Sequence, residues 1–223
     1  MITGAVEDYL KRIYALQAEE QAATTSKIAT RLAVSAPSVS AMLRRLESEE
    51  LVSRVPPRAV KLTAYGQEHA LRVIRRHRLL EAFLVQVLGL RWDEVHDEAE
   101  RLEHAVSDRL IARIDAMLGH PTHDPHGDPI PPERGPHDER WGDPLARAPA
   151  GARFHVERVS DQDSEALRHL ATLGIRPGVT LEVEGRDPFG GPLWVLLDGR
   201  RHAVGPPLAA IVHGIIDPGQ DEQ

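Results

Sequence analysis

The chain has 223 residues, a net charge of −7, 41% hydrophobic residues and no cysteine. That length allows two modest domains or three small ones, and the missing cysteines exclude disulfides and thiolate metal sites and fit a cytoplasmic protein. No run of about 18 apolar residues occurs, so no membrane span is expected, and the opening M-I-T-G-A-V-E-D-Y-L lacks the basic and apolar regions of a secretory signal. The acidic total argues mildly against a nucleic-acid partner. The charge is uneven, however. Basic residues outnumber acidic ones over residues 1–64, and the acid excess lies from Trp92 onward, so a basic N-terminal face is compatible with an acidic whole.

Val6, Leu10 and Ile13 recur at helical spacing and predict a first helix over roughly residues 4–18. Asp8 lies on it, off the apolar stripe, where taken alone it reads as a solvent-facing carboxylate. Ile28, Ala29 and Leu32 mark a short helix from about Ser26 to Leu32, followed by a brief turn at Ala33 and Val34. Ser35 is a good N-cap, and Pro37 falls in the first turn of the next helix, where its missing N–H costs little. Val39, Met42, Leu43 and Leu46 give that helix its apolar stripe, and Arg44 and Arg45 lie near its end. Two short helices, a tight turn and small polar residues opening the second helix form a helix-turn-helix pattern. Two short β patterns, Leu51–Val55 and Ala59–Leu62, flank Pro56-Pro57-Arg58 and add a wing whose tip carries Arg58 within reach of a phosphate.

Thr63 is placed to cap a longer helix from Ala64 to Leu88, ended by Gly89. His77 and Glu81 stand one turn apart on it, as a shared cation site or as an ordinary i,i+4 ion pair. A further helix is expected from Asp93 to Leu118. On it His96, Glu100, Glu103 and His104 stand at offsets of zero, four, seven and eight, which puts two imidazoles and two carboxylates on one stripe. Such a stripe offers a divalent cation nitrogen and oxygen ligands; the plain alternative is a solvated acidic face. Two long helices with surplus apolar positions suit dimerisation. Residues 119–151 are rich in proline and glycine and read as a linker, with His120, His123, His126 and His137 as solvated loop residues. Beyond it, Ser164–Leu173 reads as a helix, and Val179–Gly185, Pro192–Leu197, Arg201–Val204 and Ala210–Ile215 read as short strands of a small SH3-like barrel.

Several segments carry a resemblance: E-D-Y-L-K-R-I-Y, S-A-P-S-V-S, K-L-T-A-Y-G, R-R-H-R-L-L-E, V-H-D-E-A-E-R-L-E-H-A-V-S-D and H-G-D-P-I-P. With them the chain resembles the diphtheria-toxin-repressor and manganese-transport-regulator family of metal-dependent transcription factors, in its long, three-part form. The fold class this implies is mainly α with small β parts. A winged helix-turn-helix occupies residues 1–64, a helical metal-binding and dimerisation domain 65–118, a linker 119–151, and an SH3-like (FeoA-like) β-barrel 152–217. The resemblance implies a primary metal site of Asp8, Glu100, Glu103 and His104. It also implies an ancillary site of His77, Glu81 and His96, helped by Asp163 or Glu165 of the barrel, so the stripe would serve two sites. Ser35, Pro37 and Ser38 would approach bases, and Thr25, Ser40, Arg45 and Arg58 would contact phosphates.

Iron-responsive members carry methionine and cysteine where this chain has Asp8 and Glu100. A set of oxygens with one imidazole is harder and suits Mn²⁺, with Fe²⁺ as the second choice and Zn²⁺, Co²⁺ or Cd²⁺ as substitutes in vitro. Short manganese regulators place a glutamate where this chain has Lys11, which favours one primary and one ancillary ion over a two-metal cluster. The implied function is a homodimeric regulator, not an enzyme, that binds a palindromic operator when loaded with metal and represses metal-uptake genes. Two rivals are a winged-helix regulator sensing an organic ligand and a helical dimetal enzyme. The second lacks the paired Glu-x-x-His motifs expected of it.

Overall fold

A computed structural model of the chain describes residues 2–19 and 21–217. Helix α1 (Gly4–Ala18) buries Val6, Leu10, Ile13 and Leu16, the stripe that helical spacing requires. A two-residue strand, β1 (Ala23–Thr24), precedes α2 (Thr25–Leu32), whose first turn is capped by the Thr24 hydroxyl accepting from the Lys27 N–H at 3.3 Å. Ala33, at a left-handed φ of 52°, ends α2. The Ser35 hydroxyl accepts from the Ser38 N–H and opens α3 (Ala36–Ser48). Strands β2 (Val52–Val55) and β3 (Ala59–Leu62) form the expected hairpin, and β1 pairs on the far side of β3, a strand too short to show in the sequence.

Helix α4 (Ala64–Gln86) begins where Thr63 caps it through the Gly66 N–H. Gly66 is required there, because a Cβ would lie 1.9 Å from the Leu51 carbonyl oxygen. The single helix expected over Asp93–Leu118 is instead two, α5 (Val95–Leu102) and α6 (Asp108–Met117). The reason is local: Ser107 is extended and its hydroxyl accepts from the Leu110 N–H, which starts a new helix. Glu103 and His104 therefore sit on the turn that ends α5 rather than inside a helix. Leu79, Leu80, Ala99, Ile111 and Ile114 join the three helices, while Val87, Leu88, Leu110 and Met117 remain exposed.

Residues 119–142 are not the loosely solvated linker expected. His126 is fully buried and the His137 side chain nearly so, whereas His120 and His123 are exposed. The Asp124 carboxylate accepts from the His126 and Asp128 N–H groups, and Gly127, at φ +87°, lies so close to the Glu157 carbonyl that no side chain would fit. Arg78 of α4 and Arg158 of the following sheet both bind Glu139, fastening the segment at its far end.

The C-terminal part comprises β4 (Asp143–Pro144), β5 (Arg153–Val159), α7 (Ser164–Leu173), β6 (Thr180–Arg186), β7 (Leu193–Leu197), β8 (Arg200–Val204), α8 (Pro206–Ile211) and β9 (Val212–Asp217). Its strands form one antiparallel sheet in the order β4-β9-β5-β6-β7-β8, wrapped round Phe154, Val156, Leu170, Leu181 and Val195. Trp92, from the α4–α5 connection, belongs to this same core, and Arg168 of α7 binds Asp93 at 3.2 Å. Those contacts dock the sheet on the helices and bring the end of β5 beside α5.

Candidate metal centre

Two clusters of carboxylates and imidazoles lie on either side of Glu103. In the first, α1 supplies Asp8, and the end of α5 supplies Glu103 and His104. The His104 Nε2 is 2.8 Å from Asp8 Oδ1 and 3.4 Å from Glu103 Oε1, and ligand atoms of the three residues lie within 4.8 Å of one another. Glu100, expected in the same set, is turned toward Lys11. The Lys11 ammonium donates to Glu100 Oε1 at 2.8 Å and to Glu103 Oε1 at 2.6 Å, one cation between two anions. Glu100 also falls in a group with His77 and Glu103.

In the second cluster α4 supplies His77 and Glu81, α5 supplies His96, and the segment after β5 supplies Asp161. The His96 Nδ1 is 2.8 Å from Asp161 Oδ2 and 3.3 Å from Glu81 Oε1, and His77 Nε2 is 3.0 Å from that same Glu81 oxygen. Asp163 and Glu165, expected from the barrel, are not in the cluster. Asp163 directs its Oδ1 to the N–H groups of Glu165 and Ala166 at the start of α7, and both side chains are exposed. Asp161, two residues earlier, is the carboxylate that lies beside His96.

His126 and Asp124 of the ordered connecting segment complete this region, although the irregular spacing of its histidines reads as solvated loop. His126 Nε2 donates to the Trp92 carbonyl at 2.7 Å, which turns Nδ1 toward Glu81 Oε2, 3.6 Å away. His126 Nδ1, Glu81 Oε2 and Asp124 Oδ2 are all buried without a hydrogen-bond partner among the described residues. Buried polar atoms without partners are costly, so three of them converging, two carboxylate oxygens and one imidazole nitrogen, are a donor set that fits a divalent cation.

In the metal-free chain several of these groups hold protons that an ion would have to displace. Burial disfavours charge on His96, but Asp161 and Glu81 outweigh it and hold the ring protonated up to about 11. His126 is likewise resisted by burial and held up to about 10 by Glu81 and Asp124. Burial also opposes charge on His77 and His104, yet both are raised, by Glu81 and Glu103 and by Glu7 and Glu103 respectively. Burial opposes ionisation of Glu81 and Glu103 too, yet His77 holds Glu81 well down, and His77 and Lys11 lower Glu103. Asp124 goes the other way: burial, then Asp128 and Glu81, push its carboxyl far up. Glu103 links the clusters, with Oε1 facing Lys11 and His104 and Oε2 accepting from His77 Nδ1 at 2.6 Å.

In the N-terminal winged helix, Ser35, Pro37 and Ser38 are exposed at the start of α3, and Thr25 and Ser40 are half-buried. Arg45 is exposed and pairs with Glu49 at 2.8 Å, and Arg58 is exposed at the tip of the β2–β3 hairpin. No helix among the described residues is long and apolar enough to cross a membrane.

Comparison with known proteins covers the whole architecture. Residues 1–60 match the model of the iron-dependent repressor N-terminal DNA-binding domain, residues 63–132 that of the iron-dependent repressor metal-binding and dimerisation domain, and residues 144–214 that of the FeoA domain. The iron-dependent repressor IdeR of Mycobacterium tuberculosis is 34% identical over 219 residues, 92% of this chain and 94% of that one. Among solved structures, a manganese-dependent transcriptional repressor in complex with manganese is 45% identical, with a TM-score of 0.88 over 95% of this chain and 99% of its own. ScaR with bound Cd²⁺ is 33% identical, with a TM-score of 0.80 over 95% of this chain and 98% of its own.

Proposed function

Because the chain belongs to the iron-dependent repressor family, whose members are metal-dependent DNA-binding repressors rather than enzymes, we propose that it is a manganese-responsive repressor of metal-uptake genes acting in the cytoplasm on a palindromic operator. The observation that carries the metal assignment is a donor set of carboxylates and imidazoles, without sulfur, in both clusters. Hard oxygen donors with one imidazole, as at Asp8, Glu103 and His104, suit Mn²⁺, and Fe²⁺ is the nearest competitor. Zn²⁺, Co²⁺ and Cd²⁺ would fill the same sites in vitro, since intrinsic affinity does not favour Mn²⁺ over Zn²⁺. The manganese in the 45% identical repressor supports the same choice.

Asp8, Glu103 and His104 would hold one ion, with Glu100 a further oxygen once Lys11 withdraws from it. His77, Glu81, His96 and Asp161 would hold the other, with His126 and Asp124 behind Glu81. Bound cations would supply positive charge among these anionic groups, in place of the Lys11 ammonium and the imidazole protons. The chain's own residues do the rest. Asp8 ties α1, which packs in the core of the DNA-binding part, to the end of α5. Asp161 ties the C-terminal sheet to α4 and α5. Exposed Val87, Leu88, Leu110 and Met117 suit the homodimer contact. A fixed α1 sets the separation of two α3 helices, so that both half-sites are met together. Ser35, Pro37 and Ser38 would face bases and Thr25, Ser40, Arg45 and Arg58 phosphates. Any ligand that binds the DNA-competent state better shifts the population toward it, and DNA tightens metal binding by the same factor.

The test is fluorescence anisotropy of a labelled promoter fragment from an adjacent metal-transport gene, titrated with metal-stripped protein. Binding is expected only with metal, to be lost in Glu103→Ala, and to move from Mn²⁺ toward Fe²⁺ in Asp8→Met. Metal-independent binding would point instead to a regulator sensing another ligand.

A further inference from the structure

Glu7 stands next to Asp8 on α1 but faces the other side of the His104 ring. Its Oε2 accepts from His104 Nδ1 at 2.6 Å, while the opposite ring nitrogen, Nε2, points to Asp8 Oδ1 and Glu103 Oε1. The second Glu7 oxygen is engaged too, receiving Arg76 of α4 at 3.2 Å, and Arg76 in turn reaches Asp108 at the start of α6 at 3.4 Å. With 15% of its side chain exposed against 38% for Asp8, Glu7 is the more shielded of the two neighbours. The imidazole also lies against the backbone of the first residue of α1: a Cβ on Gly4 would stand 3.1 Å from His104 Cγ and 3.3 Å from Cδ2.

From these contacts we infer that Glu7 is a positioning residue for the first metal cluster, holding the His104 ring so that Nδ1–H is donated to Glu7 and the Nε2 lone pair is presented to the ion. A neutral imidazole has one donor and one acceptor nitrogen, and a carboxylate on one side decides which is which. Such a partner also raises the basicity of the ligating nitrogen, and losing one typically costs about 10–100-fold in metal affinity. Glu7 cannot join the ion itself without abandoning both Arg76 and His104. It therefore acts through His104, and with Gly4 it makes the first turn of α1 the seat of the ring. The inference rests on the proposed function only in taking Asp8, Glu103 and His104 as metal ligands.

The experiment compares wild type, Glu7→Leu, Glu7→Gln and His104→Ala, measuring Mn²⁺ binding by chelator competition and the His104 ring by ¹⁵N NMR in the Zn²⁺-loaded chain. Glu7→Leu is expected to weaken one ion by about 10–100-fold and leave the ion at the His96 cluster in place, which also reports an intact fold. Glu7→Gln keeps an acceptor oxygen and is expected to recover most of the affinity. In wild type, Nδ1 is expected to carry the proton and Nε2 the Zn²⁺; this readout needs no variant to fold. Zn²⁺ on Nδ1, or Glu7→Leu binding like wild type while His104→Ala is impaired, would overturn the role of Glu7 alone. No ion sensitive to His104→Ala would overturn the site and the role together.

Discussion

Replacing Lys11 by methionine keeps most of the apolar stem that lies along the cleft and removes the charge. In the metal-free chain the ammonium sits 2.8 Å from Glu100 and 2.6 Å from Glu103, and any ion drawn to those oxygens must approach it. Two unit charges 4 Å apart exchange about 4 kcal/mol at an effective dielectric near 20. Glu100 is 30% exposed, so solvent screening justifies keeping only about a quarter of that. A divalent cation doubles what remains, to about 2 kcal/mol, or roughly thirtyfold in affinity. Chelator competition should therefore show Lys11→Met binding Mn²⁺ about tenfold to a hundredfold more tightly. The metal-free protein should lose stability, because Glu103 is fully buried and gives up one of its partners. Breaking a buried pair costs about 3–5 kcal/mol, and His77 on the other oxygen should reduce that. Thermal unfolding should show a lowered Tm without Mn²⁺, largely restored with it. Equal or weaker Mn²⁺ affinity, or an unchanged metal-free Tm, would show that the ammonium does not compete for these carboxylates.

The raised imidazoles give a pH dependence. Because His96 is held protonated up to about 11 and His126 up to about 10, metal must displace those protons, so affinity at the second cluster should climb with pH until it passes those values; calorimetry in buffers of differing ionisation enthalpy that detects no proton release would refute this. For the metal-free fold the sign is opposite: groups with raised folded values contribute fully below about pH 6.5, the unperturbed imidazole value, and lose that contribution as pH rises toward about 11. Denaturant unfolding of the stripped protein should accordingly show stability falling across that window. Asp161→Ala should weaken the second ion about tenfold or more, whereas Asp163→Ala should leave metal binding intact and cost only the α7 cap, about 1 kcal/mol by chemical denaturation. Gly66→Ala places a methyl 1.9 Å from the Leu51 carbonyl, so α4 must shift off the hairpin, and a loss of about 2 kcal/mol or more is expected in the same assay.

The winged helix was legible because each boundary has a local chemical cause. Ser35, Thr63 and Pro37 mark helix starts by capping or by a dispensable N–H, and the structure uses each in that way. The strip from His96 to His104 was legible as a grouping of imidazoles and carboxylates because i,i+4 geometry survives even though the helix ends at Leu102. The break itself was not, since Ser107 as a cap competes with an uninterrupted apolar period. His126 reads as solvated because the sequence around it has no periodicity. Its burial depends on Gly127 meeting the Glu157 carbonyl, a contact 30 residues away in the chain. Asp161 and Asp163 look alike in sequence, and only the cap at the start of α7 separates them. Lys11 reads only as a departure from the glutamate of short manganese regulators and Glu7 as an ordinary acidic residue on α1, because the partners of both lie on other helices or turns.

Glu103 lends one oxygen to each cluster, Oε1 toward His104 and Lys11 and Oε2 toward His77. A single carboxylate carries only one negative charge, so whichever side draws on it leaves less for the other. The two clusters are thus not separate meters read side by side but two ends of one balance. Under the proposed function, occupancy at one end would shift the threshold at the other, and a graded change in ion supply would reach the DNA-binding helices as one combined signal rather than as two independent ones.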